Sequence, residues 1–329
     1  MTANNYKTNM IDLLKLTQSE LLETIDKMYV PKYTKVRYTG GIIFLPKDVE
    51  KYPLVCSHLD TINTHRNADK KLSDEDILIN GDMLSLQPNT TFSCLGGDDR
   101  CGVYIALELI SRDMPYAFGF FLDEEIGGRG SDALADNIEL LDNVTALVGL
   151  DRRGSDQLAL YGYDNQELNE IFYKQGYKEA MGTFTDASNI AGFTDLACIN
   201  LSIGYDHEHT PAETIDMKAT VSTLTIMSRP DVAEQLAAKK YLSETSTMFS
   251  GDSILVDITY FPEIIINDRT SYEVEMIPNQ RKYQQVGAYV SFAIPKLGIV
   301  ADSLDDMFDE IQRHFKKSVV VTNYYSEYE

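Results

Sequence analysis

The sequence predicts an α/β fold: a three-layer α/β/α sandwich around a mostly parallel mixed sheet, followed by a small C-terminal α+β appendage. Two observations carry the prediction. Between Lys35 and Ser228, short apolar runs alternate with stretches whose apolar residues recur at helical spacing, as in strands joined by crossover helices. Beyond Ser228-Arg-Pro-Asp the texture changes to successive strand-like runs with one late helix. The 329 residues therefore divide into a main domain, 1–228, and a smaller one, 229–329.

Taken in order, Thr8 to Tyr29 reads as an amphipathic helix with a break near Thr17, where Thr17-Gln-Ser-Glu20 offers a capping box. Strands are expected at Lys35–Thr39, Gly41–Leu45 and Pro53–Ser57, and the polar stretch Thr64 to Asp76 reads as a surface excursion. Helices at Asp99–Arg112, Ser131–Asn137, Gln166–Gln175 and Ile215–Met227 then alternate with strands at Ala117–Leu122, Ala146–Leu150, Gln157–Tyr163 and Ala197–Ile203. In the appendage, strands are expected at Ile254–Tyr260, Glu263–Ile266, Tyr272–Ile277, Ala288–Ile294 and Val319–Thr322. A helix from Ser303 to Lys317 places Leu304, Met307, Phe308, Ile311 and Phe315 on one face, with acids early and lysines late as the helix dipole favours.

The formal charge of -22, from 51 acidic against 29 basic residues, repels phosphate backbones and anionic membranes, so nucleic acid is excluded as a partner. No apolar run approaches the roughly 20 residues of a membrane span, and no secretory signal is evident near Met1. The four cysteines lack paired spacing and read as buried packing residues, so the expected compartment is the cytoplasm.

Chemistry concentrates in five segments. In Phe118-Gly-Phe-Phe-Leu-Asp-Glu-Glu-Ile-Gly, Glu124 and Glu125 end an apolar strand, where two like charges repel unless a cation or proton offsets them. One of the pair can bind a metal while the other accepts a proton from water. In Ser57-His-Leu-Asp-Thr, a metal on one nitrogen of His58 would leave the other free to bond Asp60, although a simple polar pair satisfies the spacing as well. Asp98 and Asp99, flanked by glycines at a helix start, serve either as a helix cap or as a carboxylate bridging two cations. Asp151 follows a strand and is either a ligand or a turn residue. His209 sits at a turn stiffened by Pro211, and His207 would point the other way in an extended chain. Arg152 and Arg153 either hold a substrate carboxylate or neutralise the surrounding acids. His58, Glu124, Glu125 and Asp151 each fall just after a strand, so a parallel sheet can gather them at one edge.

The ordered set His-x-Asp-Thr, Gly-Asp-Asp-Arg-x-Gly, Glu-Glu-x-Gly-x-Arg-Gly, Leu-Asp, Thr-Asp-Ala and His-Thr-Pro-x-Glu resembles the di-zinc exopeptidase superfamily. That group includes peptidase T-like tripeptidases, carboxypeptidase G-like enzymes and co-catalytic metallo-aminopeptidases, and the match covers roughly residues 35–228. The resemblance implies two divalent ions, zinc by default with cobalt or manganese as substitutes. It implies Asp98 as the shared ligand, His58 and Asp151 completing one site, and Glu125 and His209 the other. It further implies Glu124 as general base, Asp60 as orienter of His58, a cis bond between Asp98 and Asp99, and a short peptide as substrate. His207 and Arg152 stand as substrate-side candidates. Two departures matter. The spans from His58 to Asp98 and from Asp151 to Asp186 are too short for the lid domain many relatives insert, so a homo-oligomer is allowed but not indicated. Aspartate at 151 resembles the aminopeptidase and tripeptidase branches. An N-acyl amino acid deacylase, a glutaminyl-cyclase-like zinc transferase and a non-catalytic binding module on the same scaffold are the alternatives.

Overall fold

A computed structural model describes residues 10–66 and 70–243, together with strand segments between 253 and 324. The chain divides into two units, Met1–Thr245 and Ser246–Glu329. The division falls beyond the change of texture at Ser228. Helix Pro230–Ala237 buries Val232, Ala233 and Leu236, its Leu236 carbonyl accepts the Thr145 hydroxyl at 2.7 Å, and Tyr241 N donates to Thr145 O at 2.7 Å.

Among the described residues, the first unit holds twelve strands: β1 Tyr33–Tyr38, β2 Gly41–Pro46, β3 Tyr52–His58, β4 Ile77–Asn80, β5 Met83–Leu86, β6 Ala117–Phe121, β7 Val144–Arg152, β8 Gln157–Leu160, β9 Lys178–Met181, β10 Cys198–Ser202, β11 Tyr205–Asp206 and β12 Thr214–Asp216. Eight form a sheet in the order β1-β2-β6-β3-β7-β10-β8-β9. Its centre, β6-β3-β7-β10, is parallel throughout, whereas β2 pairs antiparallel with β6 and β10 antiparallel with β8. The mixed α/β fold expected from sequence is therefore present.

The central strands are apolar along their length because helices cover both faces. Alternation divides them: Val55, Phe118, Phe120 and Val148 pack into one core, and Leu54, Cys56, Ala117, Phe121 and Leu147 into the other. Helix Gly97–Ser111 covers the first face and helix Asp186–Gly192 contributes to the second. From β3 the chain crosses to β6 on one side and later to β7 on the other, so β3 is where the strand order reverses. A crevice outside the carboxyl ends of the strands is expected at such a point, and His58 is the last residue of β3.

Two further features hold the segments that surround this end of β3. The N-terminal segment splits at Thr17 into helices Met10–Leu14 and Gln18–Asp26, and the capping box between Thr17 and Glu20 is formed. Arg100, fully buried, donates to the carbonyls of Leu13, Leu16 and Leu59 at 3.2, 3.0 and 2.8 Å, tying that segment to the turn after His58. A second antiparallel sheet, β11-β12-β5-β4, frames the turn that carries His209.

Several elements differ from expectation. Strands β4, β5, β9, β11 and β12, each four residues or fewer, give too short a run for periodicity to register. Ile215 lies in β12, and the helix begins at Met217 because Asp216 caps Lys218 N at 2.9 Å. The helix expected over Ser131–Asn137 is a four-residue α-turn followed by a 3-10 segment, Ala133–Leu141. There the Asn137 amide donates to Ala133 O, a side-chain competitor to helical bonding. Within Ser246–Glu329, Ser253–Tyr260 pairs parallel with Ser318–Tyr324 and antiparallel with Glu263–Ile266, which pairs with Thr270–Glu273. Glu275–Pro278, Val290–Ile294 and Ile299–Ala301 form a separate antiparallel sheet. The helix expected from Ser303 to Lys317 lies outside the described residues. Among those described, no helix is long and apolar enough to cross a membrane.

Gly102 marks the closest approach of helix Gly97–Ser111 to the sheet. A Cβ there would lie 2.0 Å from the Leu150 carbonyl oxygen and 2.4 Å from Asp99 Oδ1. Gly102→Ala is expected to lower stability by about 1–3 kcal/mol through overpacking, measured by urea unfolding.

Candidate metal centre

Six side chains singled out in the sequence arrive at one place. His58 ends β3, Glu124 and Glu125 follow β6 across a left-handed Asp123 (φ 57), and Asp151 lies near the end of β7. Asp98 opens helix Gly97–Ser111, and its bond to Asp99 is cis. His209 comes from the turn between β11 and β12 with φ 62, a region that histidine enters more readily than most residues.

Asp98 is the shared member of the group. Its Oδ1 lies 2.9 Å from His58 Nε2 and its Oδ2 3.3 Å from His209 Nε2. His58 Nε2 is also 3.6 Å from Asp151 Oδ1, and His209 Nε2 is 2.9 Å from Glu125 Oε2. His58, Asp98 and Asp151 thus offer one atom each within 4.8 Å of one another, as do Asp98, Glu125 and His209. Bonds of about 2.0–2.1 Å at tetrahedral angles put ligand atoms roughly 3.3 Å apart. The histidine-to-carboxylate spacings, 2.9 to 3.6 Å, lie around that value, which makes both triads candidates for a small divalent ion. Glu125 Oε1 is buried with no hydrogen-bond partner, as expected of an atom kept for such an ion. Glu124 belongs to neither triad, and its Oε2 lies 3.9 Å from His58 Nε2.

The surrounding bonds fix these groups. Asp60, fully buried, accepts His58 Nδ1 at 3.2 Å and the backbone N–H groups of Glu124 and Glu125 at 3.1 Å each. Asp99 accepts His58 N at 3.0 Å and Gly102 N at 2.9 Å, which makes it a backbone anchor and leaves the bridging geometry to Asp98. Glu213 accepts Gly96 N at 2.7 Å and Asp98 N at 3.1 Å, joining the His209 turn to the loop that presents Asp98. The Thr185 hydroxyl donates to Asp151 Oδ2 at 2.9 Å, and Tyr205 donates to Asp151 Oδ1 at 3.3 Å.

Electrostatics follow from crowding. Burial, with Asp151, Asp186 and Glu125 close by, pushes the Glu124 carboxyl well above its usual range despite the opposing His58. Burial and the charge of Asp98 also raise Glu125 and Asp151. Burial would raise Asp98 too, but bonds from His209 and His58 hold it well below the ordinary carboxylate range. Burial works against a charged His209, yet Asp98 and Glu125 push it up to about 11. Protons here supply the positive charge that the carboxylates demand, and a divalent cation would serve the same need.

The substrate-side candidates are not drawn into this group. His207 (φ 58) is about two-thirds exposed, with the Asp206 carboxylate 3.9 Å away. It turns outward because the segment is a series of tight turns, and not because the chain is extended. Arg152 donates through Nε to Gln157 Oε1 at 3.0 Å, and Arg153 pairs with Glu208 at 3.0 Å. Sequence reasoning singled out no role for Glu213, Thr185, Tyr205 or His65. Glu213 and Thr185 lie inside the site's sequence motifs, whereas Tyr205 and His65 carry no local signal.

No protein-family model matches the sequence, and no curated protein does. Among solved structures, the chain is similar to aminopeptidase PepT from Bacillus cereus, with a TM-score of 0.53, 14% identity, and coverage of 72% of this chain and 99% of that one. It is similar to a tripeptidase from Staphylococcus aureus (TM-score 0.53, 12% identity, 73% and 100% covered). It is also similar to an aminopeptidase from the archaeon Desulfurococcus kamchatkensis (TM-score 0.51, 14% identity, 73% and 99% covered). The chain shares its fold with these peptidases.

Asp186 provides a pH-dependent check on the site's surroundings. Its Oδ1 accepts Ser131 Oγ at 2.6 Å, its Oδ2 is buried without a partner, and burial pushes the carboxyl up to about 7. The folded state keeps this proton after the unfolded chain has released it near 3.8, so stability falls as pH rises towards 7. In chelator-treated protein, wild type should lose more than about 1 kcal/mol relative to Asp186→Asn between pH 5.5 and 8, read from urea unfolding.

Proposed function

We propose that this protein is a metal-dependent exopeptidase that hydrolyses short peptides, in the manner of an aminopeptidase or tripeptidase. The observation that carries the reading is Asp98, which turns one carboxylate oxygen to each of two imidazoles while Glu124 stands beside the pair outside both triads. His58 and Asp151 would hold one ion and Glu125 and His209 the other, with Asp98 common to both. Mixed histidine and carboxylate donors favour zinc, with cobalt or manganese as replacements. Two such ions would supply a lowered pKa for a bound water and polarisation of the scissile carbonyl.

The chain's own groups do the remainder. Glu124, whose carboxyl holds a proton more readily than an exposed glutamate, accepts the proton of the attacking water and returns it to the leaving amine. Asp60 keeps His58 in the tautomer that presents Nε2, and it grips the backbone of Glu124 and Glu125, so base and ligands move as one body. With His207 exposed and the Arg152 guanidinium bonded to Gln157, we assign the two at most a role at the outer end of a bound peptide. We place the activity in the first unit, which contains every residue named, and the protein in the cytoplasm, consistent with four free, buried cysteines.

Elemental analysis and a panel of free-amino and N-acylated dipeptides and tripeptides test this reading. Two ions per chain and chelator-sensitive release of N-terminal residues are expected; selective turnover of the N-acylated set would replace it with deacylation. Glu124→Gln should retain its metal and lose about 10²–10⁴-fold in kcat. Normal turnover in that variant would remove Glu124 as the base.

A further inference from the structure

His65 lies in no motif of the site, yet its side chain reaches a fully buried carboxylate of the site, Asp60. It occupies the short helix Ile62–Arg66 and places Nε2 2.9 Å from Asp60 Oδ2. The imidazole is 23% exposed, whereas the Asp60 side chain is 0% exposed. Four N–H groups therefore converge on Asp60, two on each oxygen. Oδ1 takes His58 Nδ1 and Glu124 N, and Oδ2 takes Glu125 N and His65 Nε2. A carboxylate held by two donors on each oxygen has its plane and rotation fixed, and each donor then constrains the other three. Without His65, Oδ2 keeps one backbone donor from the turn it is meant to hold still.

The helix that carries His65 is anchored on its own account. The Asn63 amide donates to Cys94 O at 2.7 Å and its carbonyl oxygen accepts Ser93 N at 2.9 Å, tying the helix to the segment leading into Asp98. The charged groups facing His65 are Asp60, Asp123 and Glu125. Its bond to Asp60 raises the imidazole pKa, so the donor hydrogen is retained.

We propose that His65 is a positioning residue for the metal centre, fixing through Asp60 both the ring of His58 and the backbone that presents Glu124 and Glu125. The inference rests on the reading of His58 and Glu125 as metal ligands, and its test separates the two. Wild type, His65→Leu and His65→Gln are titrated with zinc against a competing chelator, and the metal-free unfolding midpoint of each is recorded. Wild type should bind two zinc ions, and His65→Leu should bind at least one of them about 10–100-fold more weakly. His65→Gln, which keeps an N–H donor, should stay within about threefold of wild type, with its metal-free midpoint close to that of wild type. His65→Asn, too short to reach Asp60, replaces the leucine variant if that one does not fold. Wild-type zinc affinity in His65→Leu, or equal weakening in both variants, would overturn the positioning role. A wild-type chain that binds no zinc overturns the metal-centre reading, and this inference with it.

Discussion

Too many carboxyl groups for one low-dielectric pocket is the constraint on which this structure turns. Asp60, Asp98, Asp99, Glu124, Glu125, Asp151 and Asp186 meet at the carboxyl ends of parallel strands, where burial penalises each negative charge and each raises the cost of the next. The fold answers in two ways. Asp60, Asp99 and Glu213 are satisfied by N–H donors, most of them from the backbone, and so become fasteners between segments. Asp98, Glu125 and Asp151 gather around two imidazoles, where protons, or in the proposed reading divalent cations, offset their charge.

That division of labour explains why the loops hold their shape. Asp60 binds the ends of β3 and β6 together through the backbone of Glu124 and Glu125. Asp99 binds the end of β3 to the helix start that carries Asp98. Glu213 binds the His209 turn to the same helix start. The members of the two triads thus lie at strand ends, a helix start and a turn, and the segments carrying His58, Glu125, Asp98 and His209 are fastened by carboxylates outside both triads. Arg100 extends the arrangement outward, anchoring the N-terminal helices to the carbonyl of Leu59 beside the same turn.

The topology supplies the setting. Strands on either side of β3 receive the chain in turn, the point at which a crevice is expected, and helix Gly97–Ser111 begins and the β11–β12 turn lies beside it. Two strands of the small second sheet, β4 and β5, come from the span between His58 and Asp98, and the other two, β11 and β12, flank the turn that carries His209.

The sequence by itself determined the α/β layering, because fully apolar runs of strand length between amphipathic helices have few other ways to bury both faces. It also named His58, Asp98, Glu124, Glu125, Asp151 and His209, since glycines, strand ends and neighbouring acids leave a local mark. The resemblance implied roles for Asp98, Glu125, Asp151 and Asp60, and only the tertiary structure showed that Asp99 and Glu213 are held by backbone N–H groups. Asp98 and Asp99 are adjacent and chemically identical, and their roles separate only when His58 N meets one and the two imidazoles the other. Glu213 and Gly96 lie 117 residues apart, and His65 gives no sign of its partner until β3 and the following helix fold back on each other. Hydrogen bonds between distant segments depend on where backbone N–H groups point, and residue identity along the chain does not encode that direction.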